Sequence, residues 1–136
     1  MNKLIIEQTE FTPKIVLDHT QFKFEITGEI SPENAKDFFV PILAWFDDFY
    51  NYVYYIHSLE GSKKEINFVV HIDYFTSSAL KCLYDVFKKI ILLKPYLKDI
   101  KITWLYDNED TDMKENGEEF ATMLDIPFII KSINSL

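Results

Sequence analysis

The stretch that decides the fold reads Ile66-Asn67-Phe68-Val69-Val70-His71-Ile72. Its β-branched and aromatic residues form a nearly continuous apolar run, which is typical of a strand at the buried centre of a sheet. Directly after it, apolar residues recur at helical spacing and predict an amphipathic helix that ends near Pro95: Leu80, Leu83, Tyr84, Phe87, Ile90 and Ile91. A strand followed in this way by a helix is the unit from which α/β folds are built.

A second helix is predicted upstream of this unit. Ser31 is its predicted N-cap, with Pro32 at the first helical position and Asn34 at the third. Its broad apolar face is formed by Phe38, Phe39, Ile42, Leu43 and Phe46. Pro41 lies inside this pattern, so we expect it to kink the helix or to split it in two.

Further strands are predicted on both sides. A short edge strand at residues 4–6 precedes a hairpin formed by residues 14–18 and 22–26, after which Gly28 breaks the pattern. Strands at residues 100–106 and 126–130 follow the central unit, and a third helical face lies between them at Phe120, Met123 and Leu124. This alternation predicts the α/β class, with a mixed or mostly parallel sheet of about five or six strands packed by about three helices.

The composition favours a single globular domain over residues 1–136. Hydrophobic residues make up 48% of the chain and aromatic residues 16%, which is enough to build a core. The formal net charge of −8 argues against nucleic acid or an anionic membrane as a partner, and a basic protein surface suits it better. The lone Cys82 excludes an intramolecular disulfide and is expected to pack in a helix. Without a recognisable signal peptide or membrane span, we expect a cytoplasmic protein.

The residue patterns of common catalytic sites do not occur in the sequence. No serine has the flanking glycines of a nucleophile elbow, and the three glycines stand apart, which excludes a Gly-rich phosphate loop. The histidines are His19, His57 and His71. His71 occupies an alternating position of the central strand, where a structural role is expected rather than that of a general base. We therefore predict no enzyme activity, no catalytic residues and no cofactor.

An acidic stretch is the candidate for metal binding. Asp107, Glu109, Asp110 and Asp112 resemble a carboxylate cluster that could hold a hard cation. An EF-hand loop that began at Asp107 would need glycine at its sixth position, which is Asp112. Acids in a solvated loop and in the first turn of a helix are the preferred interpretation, so no metal site is predicted. The alternative is a small metal- or ligand-binding enzyme that would lose its activity on Asp110→Asn.

Three consecutive hydroxyls mark the end of the central strand. Asp73-Tyr74-Phe75 ends that strand, and the next helix begins at or near Thr76-Ser77-Ser78. Sites in open α/β sheets lie at the carboxyl ends of strands. Free N–H groups at a helix start tolerate a phosphate on the side chain itself. N-capping by Thr76 or Ser77 explains the same residues and is preferred from the spacing alone.

Beyond spacing, the sequence resembles the SiaC-type regulatory phosphoproteins, whose fold is similar to STAS domains. The resemblance covers nearly the whole chain and rests on the order of short motifs. They lie at residues 12–13, 28–34, 41–45, 74–81, 104–107, 110, 112–113, 117–120 and 126–128. The family's central motif is Tyr-Phe-Asn-Thr-Ser-Ser with a phosphorylated Thr, so an ungapped alignment places its Asn on Thr76 and its phosphoacceptor on Ser77. This chain departs from the family pattern at both positions.

The resemblance implies a single STAS-like domain in a partner-switching cycle. A protein kinase phosphorylates the domain on Ser77, with Thr76 and Ser78 as alternatives, and a metal-dependent Ser/Thr phosphatase reverses the step. The unmodified form is expected to bind and activate a diguanylate cyclase, the source of cyclic di-GMP. The expected partner-binding residues are Tyr74, Phe75, Thr76, Ser78, Lys81, Glu33 and Asn34. The alternative function is that of a STAS-like antagonist in a sigma-factor partner-switching system.

Overall fold

A computed structural model of the protein describes residues 1–133. Within them, six strands and three α-helices follow one another in the predicted order. They are β1 (Leu4–Ile6), β2 (Lys14–Asp18), β3 (Lys23–Ile30), α1 (Ala35–Glu60), β4 (Glu65–Phe75), α2 (Ser77–Ile91), β5 (Asp99–Asp107), α3 (Thr111–Leu124) and β6 (Ile129–Ile133). A 3-10 turn at Lys94–Tyr96 contains Pro95 and follows α2. None of the helices in this part of the chain combines the length and hydropathy that a membrane span requires.

All six strands form one mixed sheet in the order β1-β2-β3-β4-β5-β6. The first two pairings are antiparallel and the other three are parallel. Each parallel connection moves to the next strand in the same direction. Since such connections are right-handed, α1, α2 and α3 lie on the same face of the sheet. The predicted α/β class and mixed sheet are confirmed.

The two faces of this sheet differ in burial. Along β4, Phe68, Val70 and Ile72 are buried, whereas Val69 and His71 are only half-buried. We call the face under the helices the covered face and the opposite one the open face. The prediction that β4 is a central strand is confirmed, but the expectation from its apolar run that both sides are buried is wrong, because all three helices pack on the covered face.

Aromatic side chains fill the space between the covered face and the helices. Trp45 and Phe49 of α1 stack with ring centroids 4.8 Å apart. Under α3, the Trp104 indole N–H donates to the carbonyl of Met113 at 2.9 Å. A Cβ on Gly117 would lie 2.5 Å from Cδ1 of Trp104. Only glycine therefore lets α3 approach the sheet this closely.

Helix α1 differs from its prediction at both its start and its middle. Ser31 is not the N-cap, because its hydroxyl donates to the carboxylate of Glu29 instead. Asn34 caps the helix, accepting from the Asp37 N–H at 3.1 Å. Pro41 does not split the helix, which runs unbroken from Ala35 to Glu60. We attribute this continuity to the apolar face, which is buried before and after the proline and offsets its lost hydrogen bond.

The strands also depart from two predictions. Gly28 does not break β3 but lies inside it, with a φ of +115°. Next to it the pairing shifts: Gly28 faces Ile72 and Glu29 faces Tyr74, which leaves Asp73 as the extra residue of a β-bulge. The last strand starts at Ile129 rather than at residue 126. Pro127 precedes it and cannot donate to a sheet.

Candidate functional site

The candidate site lies at the carboxyl edge of the parallel strands. Because β3, β4 and β5 are each followed by a helix that runs back over the sheet, all three helices begin at this edge. Their N-caps are Asn34, Thr76 and Asp110. The positive ends of three helix dipoles therefore point toward one rim of the molecule.

Thr76 joins the two elements that build the predicted phosphorylation segment. Its hydroxyl accepts the Ala79 N–H at 3.2 Å and so caps α2. Its own N–H donates to the Ile30 carbonyl at 3.2 Å, which ties the start of α2 to the end of β3. The N-capping predicted from spacing for Thr76 is confirmed. Asparagine, the family's residue at this place in the ungapped alignment, is also a favoured N-cap, so the exchange preserves the capping chemistry.

Ser77 and Ser78 are the first two residues of α2, and both are exposed. Their N–H groups precede the first intrahelical hydrogen bond, which Leu80 donates to the Thr76 carbonyl at 3.0 Å. The Ser78 hydroxyl lies 3.4 Å from that of Thr76. Lys81 is exposed one turn further on, at the spacing that places its side chain beside Ser77 and Ser78 on the helix surface. The start of α2 thus offers backbone N–H donors and an ammonium group to an anion.

The other predicted partner-binding residues flank this segment. Tyr74 is 55% exposed, and Phe75, the last residue of β4, is half-buried opposite Ile30. Glu33 and Asn34 are exposed in the turn that leads from β3 into α1. The pairing of β3 with β4 therefore brings the two predicted segments to the same rim, although they are far apart in sequence.

One exposed aromatic residue of this rim was missed by sequence reasoning. Phe11 is 54% exposed, and its carbonyl accepts the Ser31 N–H at 2.8 Å. The loop between β1 and β2 thereby lies beside the turn that precedes α1 and presents an exposed aromatic residue there. A single aromatic residue in a loop carries no periodic signal, so only the folded chain identifies it as part of this surface.

The acids of the candidate metal loop do not converge on one point. Asp110 caps α3, accepting the Met113 N–H at 3.0 Å, and Asp112 lies in the first turn of that helix. Glu109 is exposed. Asp107 instead faces the neighbouring strand, where its Oδ1 lies 3.2 Å from Nε2 of His71. His71 is thus half-buried on the open face. The expectation of a histidine inside a buried strand is wrong because, within residues 1–133, the helices all lie on the other side of β4.

Two further features lie outside the rim. Cys82 is half-buried in α2, and burial, followed by the nearby Asp85, raises the pKa of its thiol. A raised pKa keeps the group protonated near neutral pH and unreactive. A pocket of about 310 Å³ lies at the opposite edge of the sheet, among Ile91, Leu97 and Pro127. The hydroxyl segment, by contrast, lies on an exposed surface, which suits recognition by another protein.

Comparison with known proteins identifies a family and a shared fold. The model of a family described as SiaC family regulatory phosphoprotein matches residues 6–133. Apo-SiaC from Pseudomonas aeruginosa shares 23% identity and superimposes with a TM-score of 0.79 over 96% of this chain and 99% of that one. A structure of the diguanylate cyclase SiaD in complex with its activator SiaC, also from Pseudomonas aeruginosa, matches at 22% identity and a TM-score of 0.79, over 96% of this chain and 99% of that one. These structures show a shared fold. No curated protein matches the chain.

Proposed function

The chain belongs to the SiaC family of regulatory phosphoproteins, and from this premise we propose that it is a binding protein switched by phosphorylation of Ser77. Its unmodified form binds and activates a diguanylate cyclase, by analogy with SiaC of Pseudomonas aeruginosa, the activator of the diguanylate cyclase SiaD. A protein kinase adds the phosphate and a metal-dependent Ser/Thr phosphatase removes it. The protein itself is a non-catalytic single domain over residues 1–136 that acts in the cytoplasm.

The observation that carries the proposal is the position of Ser77 at the first turn of α2. The side chain is exposed to a kinase, while Thr76 supplies the cap that holds the turn in place. A phosphate on Thr76 would disturb this capping hydrogen bond, whereas Ser77 takes no part in it. Because Thr76 caps the helix and Ser77 does not, we favour Ser77 over Thr76 as the phosphate acceptor.

A phosphate at this place changes binding more than it changes the fold. It adds about −1.5 to −2 charges and three acceptor oxygens. The N–H groups at the start of α2 and the Lys81 ammonium can stabilise that charge within the domain. A docked partner, in contrast, must bury the charge or leave the surface. Each ~1.4 kcal/mol of that penalty weakens binding about tenfold, so a small mismatch is enough for a switch.

The acceptor is tested by intact-mass analysis after incubation with ATP and the candidate kinase, followed by site mapping. We expect the wild type to gain one phosphate on Ser77 and Ser77→Ala to gain none. The phosphatase should then restore the original mass. A phosphate mapped to Thr76 or Ser78, or an unchanged gain in Ser77→Ala, would contradict the assignment.

The switch is tested by partner affinity. We expect Ser77→Asp to weaken binding of the cyclase by about tenfold or more, and Ser77→Ala to keep it within about threefold. Ser62→Asp is the matched control, since it places the same charge on an exposed serine before β4, at the opposite edge. Equal affinity of Ser77→Asp and wild type would refute the mechanism. Capture of an anti-sigma kinase from the native cell, in place of a cyclase, would favour the STAS-like antagonist.

A further inference from the structure

Three metal-ligating side chains meet on the open face at the carboxyl edge of the sheet. Nε2 of His71 lies 3.2 Å from Oδ1 of Asp107. His71, Asp73 and Asp107 each offer one ligand atom, and these three atoms lie within 4.8 Å of one another. The side chains of His71 and Asp107 are 23% and 38% exposed, and Asp73 is exposed, so the group is open to solvent.

The backbone explains why these residues meet. His71 of β4 pairs with Leu105 of β5, so Asp107 follows two residues later on the same side of the adjacent strand. Asp73 is the extra residue of the bulge between β3 and β4. Bulges re-aim a side chain relative to regular pleating and are frequent beside functional sites. The convergence therefore rests on strand register and one bulge, not on a run of neighbouring acids.

The chemistry of the group selects a class of ion. We propose that His71, Asp73 and Asp107 bind a divalent first-row transition-metal ion such as Zn²⁺ or Mn²⁺, with water completing its coordination. One imidazole nitrogen with two carboxylate oxygens suits these ions better than Mg²⁺ or Ca²⁺, which prefer oxygen alone. Ligands about 2.1 Å from a metal lie about 3.0 Å apart in octahedral and about 3.4 Å apart in tetrahedral geometry. The 3.2 Å between His71 and Asp107 falls between these values.

The charge balance of the group agrees with a cation. Among residues 1–133, no lysine ammonium forms an ion pair with either carboxylate, and Asp107 instead contacts the His71 imidazole. Lys131 of β6 pairs in register with Leu105 and also lies on the open face, but no ion pair links it to Asp107 in the same part of the chain. A dication would neutralise both carboxylates and bind the neutral imidazole, the form that ligates metals.

The site is tested by isothermal titration of the full chain with ZnCl₂, and in parallel with MnCl₂ and MgCl₂. We expect one saturable site for Zn²⁺ in the wild type and about tenfold or greater weakening in His71→Ala, Asp73→Asn and Asp107→Asn. Glu109→Gln is the matched control, because it removes the same charge two residues after Asp107 and should change affinity less than about threefold. Thermal unfolding without metal checks that each variant is folded.

A second readout separates a metal site from a structural ion pair. The His71 ring resonances should shift on addition of Zn²⁺ to the wild type and should shift less in Asp73→Asn at the same subsaturating metal concentration. Within residues 1–133 Asp73 forms no ion pair, so this variant keeps the contact between His71 and Asp107. Absence of saturable Zn²⁺ binding, undiminished binding in Asp73→Asn, or Mg²⁺ binding as tight as that of Zn²⁺ would overturn the proposal.

Discussion

The covered and open faces of the sheet are made from the same strands but differ in how deeply their side chains are buried. Val69 and Val70 are adjacent residues of the same type in β4, yet Val70 is 0% exposed under the helices and Val69 is half-buried on the open face. The difference comes from the handedness of three successive crossovers and not from the residues themselves. The covered face supplies the stability of the domain, while the open face is available for chemistry.

Phe68→Ala should give the largest effect if the covered face supplies the stability. Phe68 is 2% exposed and packs between Phe46 and Phe87. We expect a loss of about 4 kcal/mol in the free energy of unfolding, measured by urea denaturation, because a large cavity remains. Asn67→Ala, one residue earlier on the open face, should cost about 1 kcal/mol through its hydrogen bond to Thr103. Similar losses in both variants would abolish the distinction between the faces.

The two valines of β4 allow the comparison to be made with one kind of substitution. Val70→Ala should lower the free energy of unfolding by about 2.5 kcal/mol and Val69→Ala by less than about 1 kcal/mol. The chemical change is identical, so the ratio reports burial alone. Equal values in urea titrations would show that the open face is shielded in solution, for example by a second molecule.

Gly117 tests how closely the helices must approach the covered face. We expect Gly117→Ala to destabilise the protein by about 2 kcal/mol, because the new methyl group overlaps the Trp104 ring. Helix propensity alone predicts the opposite sign, a gain of about 1 kcal/mol. Asn116→Ala, at the preceding position of α3, serves as the control and should be nearly neutral. A more stable Gly117→Ala protein would mean that α3 packs more loosely than described.

The smallest effect belongs to an ion pair of the open face. Lys14 and Glu25 lie 3.5 Å apart, with side chains 43% and 23% exposed. A double-mutant cycle with alanine at both positions should give a coupling of about 0.5 kcal/mol, since water and salt screen the charges. The coupling should diminish further in about 1 M NaCl, where the Debye length is only about 3 Å. A coupling that withstands this salt would place the pair in a drier environment than the open face provides.

Much of the fold follows from periodicity, and the errors have local causes. β1 and β2 begin and end as predicted, and the order of all elements is correct, because apolar spacing records which side of each element is buried. The error at Ser31 arose because a second cap-forming residue, Asn34, lies three positions later. The error at Pro41 arose because burial of the apolar face of α1 outweighs the hydrogen bond that a proline removes. Gly28 shows a third cause, since a bulge cannot be distinguished from a strand end by composition.

From residue spacing alone, the candidate site was predictable only where its residues are consecutive, and Glu33 and Asn34 were predicted through the family resemblance instead. The segment from Tyr74 to Ser78 stands out because a strand meets a helix there and three hydroxyls follow one another. The contact between His71 and Asp107 joins residues separated by 36 positions and depends on the register of β4 against β5. No spacing in a single sequence encodes that register, and the acidic run around Asp107 did not indicate the contact with His71.

The sequential strand order has a consequence for how the chain acquires its structure. Strands that are consecutive in the chain are neighbours in the sheet throughout, so no pairing skips over another strand. The longest excursion between paired strands is the one that contains α1. Even so, the parallel pairings join residues far apart in sequence, such as Phe24 with Phe68 and Glu65 with Asp99, so each must close a long loop before its contacts form. We therefore expect the antiparallel pairing of β2 with β3 to form more readily than the parallel part of the sheet, whose long-range contacts slow folding.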